Sequence, residues 1–348
     1  MKRNNIIALA CFVSAALVIV GASCTKQEGA EQNQQGGEKQ SVRIGYFPNI
    51  THSQAVVGMQ DGTFQQYLGD DVEIVPLTFN SGTTEIEALF AGEIDLGYIG
   101  PSPAINGYVK SEGQALRIIS GANSGGAALV GTSELAAAFK AQGAQALKGM
   151  KIATPSLGNT QDISLRHYLA ANNLTDDVEI IPIANADQLT MFTQGDLDGC
   201  WAPEPWASRI IIEADGELII DERDLWEGDK FITTNIVANT DFLNEHPDLV
   251  RKFLEAHVEL TDWIIANPAE AQTVVNSEIE RITSARIADN VLEMAWERID
   301  PTVDPLSDTA LEFSEWAFDN GFLGEEKPNL DDLYDLTILN EITNQQYQ

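Results

Sequence analysis

A segment that occurs twice constrains the fold more than any other feature of this sequence. Residues 92–103 (GEIDLGYIGPSP) return about a hundred positions later as residues 195–205 (GDLDGCWAPEP). Both copies read glycine, acid, aliphatic residue and aspartate, followed by a short apolar run and Pro-x-Pro. Each copy follows a similar strand-like segment, VEIVPL at 72–77 and VEIIPI at 178–183. A repeat of this length is a whole α/β lobe, so the sequence predicts two lobes with a cleft between them.

Strand-like and helical segments alternate in both halves, which predicts a mainly parallel sheet in each lobe. Lobe I is assigned to residues 42–130 and 236–348, and lobe II to residues 131–235. Two β-rich segments, 127–131 and 231–238, are interpreted as strands that cross between the lobes and form a hinge.

The charge balance excludes two classes of partner. The chain carries 53 Asp and Glu against 20 Lys and Arg, a formal net charge of -33, and the acids are spread along it. A surface this negative repels nucleic acid and anionic membranes, so neither is expected as a partner. Two interpretations stay open: an acidic surface suited to a salty medium, where ions screen the repulsion, or an ordinary exported protein of low isoelectric point.

Residues 1–23 predict a signal peptide. Lys2 and Arg3 precede an apolar run that is too short to span a membrane comfortably and that ends in small residues. The next residue, Cys24, resembles the lipid-modified cysteine after the lipobox of bacterial lipoproteins, although Gly21 stands where leucine is commonest. A plain signal peptide cut nearby is the alternative.

Residues 24–41 predict a lipidated cysteine followed by a flexible tether. After Cys24 this segment is mostly Gln, Glu, Gly and Lys and has no large apolar side chain to bury before residue 42. We therefore expect an exported protein on the outer side of the cytoplasmic membrane or in the periplasm, which touches the membrane only through its lipid anchor.

Cysteine usage leaves Cys200 alone in the folded part of the chain, since Cys11 belongs to the signal segment and Cys24 is the anchor. An intrachain disulfide is thereby excluded in that part. Cys200 adjoins Trp201 in an apolar run and is interpreted as a small core residue; a reactive nucleophile is the alternative.

Polar turns that follow strands and precede helices predict the ligand site. In open parallel sheets, ligands bind beyond the carboxyl ends of the strands, where helix N-termini offer N–H groups with partial positive charge. Each turn alone is a routine helix cap, but the turns occupy matching places in both lobes. The candidates are Asn49, Thr51, His52, Asn80, Ser81, Gly82 and Ser102 from lobe I, and Gly158, Asn159, Thr160, Asn185, Asp187, Glu204 and Trp206 from lobe II.

Signals of catalysis are weak. The sequence has no Gly-x-Gly-x-x-Gly fingerprint and no phosphate-binding loop, and its four histidines lack metal-ligand spacing. His257 lies near an apolar helical face and is interpreted as structural, whereas His52 lies in a candidate pocket turn. We therefore expect a protein that is not an enzyme and that uses no metal or cofactor.

Three local patterns predict turn chemistry. Asp95 and Asp198, the aspartates of the repeat, look like paired carboxylates, but we interpret each as tightening a helix-to-strand turn by bonding local backbone. Thr51-x-x-Gln54 resembles a capping box that opens a helix.

Four segments together resemble the solute-binding proteins of ABC importers, in particular the type II group that binds aliphatic sulfonates, taurine and nitrate. They are GYFPNITH ending at His52, ALFAGEID ending at Asp95, GNTQ ending at Gln161 and PEPW ending at Trp206. The resemblance covers residues 42–323 and implies an α/β, two-lobe periplasmic binding protein type II fold with a hinge of two crossing strands. It also implies permease and ATPase partners, and we expect a monomer.

The resemblance further implies which residues touch the ligand. The family's contacts carry over to the matching turns at Asn49, Thr51, Ser81, Gly82, Ser102, Asn159, Thr160, Gln161, Glu204 and Trp206. Taurine binders of the family use an acid near this Pro-x-Pro position for the amine, which implies the same role for Glu204, or a bond to a neutral polar group.

The expected ligand is a small oxyanion, an aliphatic sulfonate or taurine, because the pocket turns hold no basic residue apart from His52. Nitrate, bicarbonate and a pyrimidine or thiamine precursor are alternative ligands. An enzyme like the pyrimidine-precursor synthases and a tethered sensor subunit are alternative classes of protein.

Replacing Cys24→Ala tests the lipid anchor. Covalent acyl chains partition into the bilayer, so we expect the wild type in the membrane fraction of a bacterial host and the variant in the soluble fraction. Fractionation followed by immunoblotting measures this. A wild type that is soluble to the same extent as the variant contradicts the anchor.

Overall fold

The structure, a computed structural model, describes residues 40–348. Strands and helices alternate along most of this part of the chain. The predicted signal segment, Cys24 and nearly all of the predicted tether lie outside it. The strands are β1 (Gln40–Tyr46), β2 (Val72–Thr78), β3 (Leu96–Ile99), β4 (Leu116–Gly125), β5 (Ala127–Gly131), β6 (Lys151–Thr154), β7 (Glu179–Pro182), β8 (Gly199–Pro203), β9 (Glu217–Asp221), β10 (Ile232–Asn239) and β11 (Ile299–Pro301).

Helices cover the sheets and form most of the C-terminal third. They are α1 (Ser53–Asp61), α2 (Thr63–Leu68), α3 (Gly82–Phe90), α4 (Pro101–Lys110), α5 (Ser133–Gln142), α6 (Thr160–Ala171), α7 (Asn185–Gln194), α8 (Trp206–Glu213), α9 (Thr240–Glu245), α10 (Pro247–Ala266), α11 (Pro268–Thr283), α12 (Asp289–Trp296), α13 (Ser307–Asp319) and α14 (Thr337–Thr343). Within residues 40–348, none of them is both long and apolar enough to cross a membrane.

The strands form two sheets, one in each lobe. The first has the order β11-β4-β10-β3-β1-β2, and the second has the order β7-β6-β8-β5-β9. Pairs made by strands of successive strand–helix units are parallel: β1 with β2 and β3, and β6 with β7 and β8. The two-lobe α/β fold expected from the sequence is therefore present.

Both sheets are mixed, which differs from the expectation of mainly parallel sheets. Strand β10 runs antiparallel between β3 and β4, and β5 runs antiparallel between β8 and β9. The direction is reversed because the chain enters each of these strands from the other lobe. Residues 127–130, predicted for lobe I, thus pair in the second sheet, and residues 232–235, predicted for lobe II, pair in the first.

The repeated glycine-acid-aliphatic-aspartate segment ties a helix end to a strand in the same way in both lobes. The Asp95 carboxylate accepts from Arg43 N at 2.8 Å, and the Asp198 carboxylate accepts from Lys151 N at 2.7 Å. Each aspartate also donates its own N–H to the carbonyl of that same residue, both at 2.9 Å. The bonded backbone belongs to the neighbouring strand, β1 or β6, and not to the local turn as predicted.

The first helix of lobe I begins differently from the predicted capping box. The Asn49 side chain accepts from Ile50 N and caps a short 3-10 turn over Ile50–His52, and α1 follows from Ser53. Gln54 instead donates to the carbonyl of Ala122 at 2.6 Å in the core. The Gln54 side chain, which the local pattern assigned to a helix cap, is therefore hydrogen-bonded to a distant buried residue instead.

The crossings between lobes lie at Gly125–Gly126 and between β9 and β10. Gly125 and Gly126 both have positive φ, 71° and 78°, a backbone conformation that favours glycine. A Cβ at Gly125 would lie 2.8 Å from the carbonyl oxygen of Arg298, so this crossing also has no room for a side chain.

A buried ion pair lies beside the first crossing and joins the lobes. Glu204 follows β8 in the second sheet, and Arg298 precedes β11 in the first. Arg298 Nη1 donates to Glu204 Oε1 at 2.7 Å and to Ser208 Oγ at 3.0 Å, and Glu204 N donates to the carbonyl of Gly126 at 2.8 Å. Burial raises the pKa of the Glu204 carboxyl, and the Arg298 charge opposes that rise.

Replacing Arg298→Met should destabilise the protein by about 3–5 kcal/mol, because it leaves a buried carboxylate without its cation. The double variant Glu204→Gln with Arg298→Met should recover part of this loss. Arg251→Met is the matched control, since the Arg251–Glu341 pair is solvent-exposed and should contribute less than about 1 kcal/mol. Urea unfolding at pH 8 measures all three free energies, and equal losses in Arg298→Met and Arg251→Met would contradict a structural role for the buried pair.

Candidate functional site

A cavity of about 50 Å³ lies between the lobes, where the carboxyl ends of parallel strands in both sheets meet. We call it the inner cavity. Ten of the fifteen residues proposed from the sequence as ligand contacts line it: Asn49, Thr51, His52, Asn80, Ser81, Gly82, Asn159, Thr160, Gln161 and Asn185.

Within the described residues, four helices begin at the inner cavity: α3 and α4 from lobe I, and α6 and α7 from lobe II. The first N–H groups of a helix have no intrahelical partner, and the helix dipole gives this end partial positive charge. Two of the starts have side-chain caps, Ser81 accepting from Thr84 N at 3.4 Å and Asn159 accepting from Asp162 N at 2.9 Å. The cavity therefore concentrates neutral hydrogen-bond donors.

The lobes approach each other closely at Gly100. A Cβ on this residue of lobe I would lie 2.6 Å from Thr160 Oγ1 of lobe II. Only glycine leaves this approach possible without a shift, so Gly100 fixes how near the α4 and α6 starts can come.

His52 contributes a neutral ring to the cavity wall. Burial lowers the pKa of His52 to about 3, so the ring is uncharged at neutral pH. Its Nδ1 accepts from Phe47 N at 3.3 Å, and the ring stacks on Phe47 with centroids 4.5 Å apart. Because Nδ1 is an acceptor, the neutral ring carries its proton on Nε2, which makes that atom a hydrogen-bond donor.

Neutral amides extend the donor set in lobe II. Asn159 Nδ2 donates to Gln161 Oε1 at 3.1 Å, which leaves the Gln161 amide nitrogen as a donor. Asn185 adds a further amide nitrogen as a donor, while its Oδ1, an acceptor, is buried without a partner. No aspartate, glutamate, lysine or arginine is among the described residues that line the inner cavity.

Five residues proposed from the sequence do not line the inner cavity. Gly158 lines neither this cavity nor its larger neighbour, and Asp187 lines only the larger neighbour described below. Ser102 lies in the first turn of α4 with its Oγ buried and unpartnered. Trp206 lines a larger neighbouring space of about 510 Å³, the outer cavity, which shares walls with the inner one at Phe47, Asn49, Asn80 and Asn185.

Glu204 is the correction with the largest consequence. Its carboxylate is fully buried and accepts from Ser208 N and Ser208 Oγ, both at 3.0 Å, as well as from Arg298. The structure thus places this acid in the ion pair between the lobes and not beside a ligand amine. The Pro-x-Pro segment turns Glu204 inward while Trp206, two residues later, reaches the outer cavity.

Several wall residues were missed in the sequence. Most of them flank predicted turns, and a wider window around each turn would have found them. Thr233 and Thr234 had a different signal, because they lie at the start of a segment predicted to cross between lobes, where a strand must pass the cleft. The missed wall residues are Phe47, Gly100, Pro103, Pro155, Pro203, Thr233 and Thr234.

Cys200 and His257, two side chains that could in principle take part in catalysis, are buried in the protein core. Cys200 is buried in the lobe II core, and burial raises the pKa of its thiol to about 12. The His257 ring is bonded to Tyr98 Oη at 3.0 Å and to the carbonyl of Gly121 at 2.9 Å, and burial lowers the pKa of His257 to about 4. In the part of the chain that the structure describes, His, Cys, Asp and Glu form no cluster of three that could hold a metal ion.

Two α/β lobes with a cavity between them that is lined by helix N-termini are the architecture of solute-binding proteins. The chain matches the model of the NMT1-like family over residues 35–277 and belongs to that family. It is 25% identical over 236 residues to the taurine-binding periplasmic protein of Escherichia coli K12, covering 66% of this chain and 69% of that protein.

Solved structures confirm the fold expected from the resemblance. The alkanesulfonate-binding protein SsuA of Xanthomonas axonopodis pv. citri, bound to MOPS, is 18% identical with a TM-score of 0.68, covering 84% of this chain and 97% of that one. The periplasmic nitrate-binding protein NrtA of Synechocystis PCC 6803 is 16% identical with a TM-score of 0.70, covering 88% and 89%.

Replacing His52→Gln tests whether the ring is neutral in the folded protein. The folded-state pKa of about 3 lies below the ordinary value of 6.5, so the unfolded chain takes up this proton first as the pH falls. The associated stability is complete above about pH 6.5 and is lost toward pH 3; at pH 5 the loss is about 2 kcal/mol. The drop in unfolding free energy between pH 7.5 and pH 5 should therefore be about 2 kcal/mol smaller in the variant. Denaturant unfolding at both pH values measures it, and parallel pH curves would contradict the prediction.

Proposed function

We propose that this protein is an extracytoplasmic, lipid-anchored solute-binding protein that delivers a small oxyanion-bearing ligand, a sulfonate, to an ABC importer. The observation that carries the proposal is the inner cavity, where four helix N-termini and neutral amides converge without any charged side chain. Such a donor set matches a dispersed monoanion, whose charge is spread over several oxygens. A highly charged phosphate would need a cation that this wall lacks.

The size of the inner cavity supports a small anionic group. At about 50 Å³ the cavity has room for a few water molecules. A sulfonate head, one sulfur with three oxygens, is a group of that size. The rest of an organic sulfonate would then lie outside the inner cavity.

Taurine fits this arrangement less well than a plain sulfonate. The predicted partner of its ammonium, Glu204, is committed to Arg298 and Ser208. The taurine-binding relative supports a sulfonate, and it leaves open how a protein with this wall would hold an amine.

Nitrate is the second candidate ligand. It also has four heavy atoms and a dispersed negative charge, and the NrtA neighbour is a nitrate-binding protein with the same fold. Bicarbonate shares this shape. Either ion would fill the inner cavity and leave the outer cavity to solvent.

The proposed partners are the permease and ATPase subunits of the importer, reached from a Cys24 anchor through the segment before β1. We propose that the protein acts as a monomer and that its lobes close on the ligand about the two crossings. Each lobe contributes two of the helix N-termini at the inner cavity, so ligand contacts can join the lobes.

Calorimetry with methanesulfonate, nitrate and phosphate tests the proposal. We expect the wild type to bind methanesulfonate, and Asn185→Ala to weaken it by roughly 2- to 12-fold, the effect of about 0.5–1.5 kcal/mol for one hydrogen bond. Asn290→Ala, an exposed asparagine of α12 that lines neither cavity, is the matched control and should bind as the wild type does. Binding of nitrate but not methanesulfonate would favour the second candidate, and binding of neither would refute the proposed ligand class.

A further inference from the structure

The outer cavity differs from the inner cavity in size and in chemistry. Its volume of about 510 Å³ is roughly ten times that of the inner cavity. The two cavities are adjacent and share Phe47, Asn49, Asn80 and Asn185 as wall residues. A ligand whose head fills the inner cavity would therefore project past these residues toward the outer one.

Aromatic and apolar side chains form much of the outer wall. Phe47 and Phe79 come from lobe I, and Trp206 comes from lobe II. Ile279 lies in α11, and Ile287 lies in the loop between α11 and α12. Flat aromatic rings stack favourably on other rings in offset or edge-to-face arrangements. A wall with rings on both lobes suits a planar group held between them.

The two arginines of the outer wall are already engaged with other side chains. Arg209 makes a bidentate contact with Glu213 at 3.0 Å and lies over the Trp206 ring at 4.7 Å. Arg286 pairs with Asp289 at 3.0 Å. Asp187, an exposed residue, is the one carboxylate among the described residues that line either cavity.

We propose that the outer cavity selects the organic part of the ligand and that the ligand is an aryl sulfonate, with Phe79 and Trp206 as specificity-determining residues. This inference rests on the proposed function, because the sulfonate head must occupy the inner cavity. An ammonium such as that of taurine would enter an apolar space with only a rim carboxylate to meet it. An aryl ring would exchange water for contact with the aromatic and apolar side chains of this wall.

Calorimetry with benzenesulfonate and methanesulfonate tests the inference, since the two share a head and differ only in the group that reaches the outer cavity. The wild type should bind benzenesulfonate at least about tenfold more tightly, an effect expected for burial of one ring. Phe79→Ala and Trp206→Ala should each remove most of this preference and change methanesulfonate affinity by less than about twofold. Retained methanesulfonate binding shows that each variant is folded.

Phe90→Ala is the matched control, because Phe90 lies at the end of the same helix that follows Phe79, is 45% exposed and lines neither cavity. It should leave both affinities unchanged. Equal affinity of the wild type for both sulfonates, or equal losses for both in Phe79→Ala and Trp206→Ala, overturns the inference and leaves the proposed function standing. A wild type that binds neither sulfonate overturns the proposed function itself.

Discussion

The structure depends on a topological constraint: each sheet is completed by a strand that arrives from the other lobe. Without β10, the β3 and β4 edges of the first sheet have no shared neighbour, and without β5 the second sheet loses the link between β8 and β9. The first sheet therefore combines two separate stretches of chain, β1 to β4 with β10 and β11, whereas the second is built from residues 127–221 and begins with the strand that follows the first crossing. The two crossings join the lobes along one side. The carboxyl ends of the parallel strands in both sheets therefore face the same cleft.

The cleft inherits its chemistry from that geometry. Parallel strand–helix units place every helix start at the carboxyl edge of its sheet, so joining two such edges gathers N–H donors from both lobes. One acidic side chain beside the first crossing, Glu204, is paired with an arginine and does not reach the inner cavity. That arginine, Arg298, comes from the other lobe and holds Glu204 in a buried pair. A charge that would repel an anion is thereby used to connect the lobes.

The repeat, the two lobes and most of the inner wall could be predicted from the sequence, because strand–turn–helix order is a local pattern. Long-range partners could not. Gln54 fits a capping box by its spacing, but its side chain donates to the carbonyl of Ala122 instead. Glu204 fits a ligand contact by resemblance, but its carboxylate accepts from Arg298, 94 residues away. The sequence did indicate that β5 and β10 cross between the lobes, but it did not indicate that they pair antiparallel in the sheets they enter.

The acidic surface and the proposed binding of an anion in the inner cavity are compatible because the two effects act over different distances. A net charge of -33 repels an approaching anion through solvent, but salt shortens that field to about 8 Å at 0.15 M and 3 Å at 1 M. Inside the cleft, the helix N-termini act within hydrogen-bond distance, where salt screens little. The long-range repulsion thus governs how fast an anion arrives, and the neutral donors of the inner cavity govern how tightly it is held. A saline medium would weaken the first effect and leave the second intact, so the acidic surface does not conflict with the proposed anionic ligand.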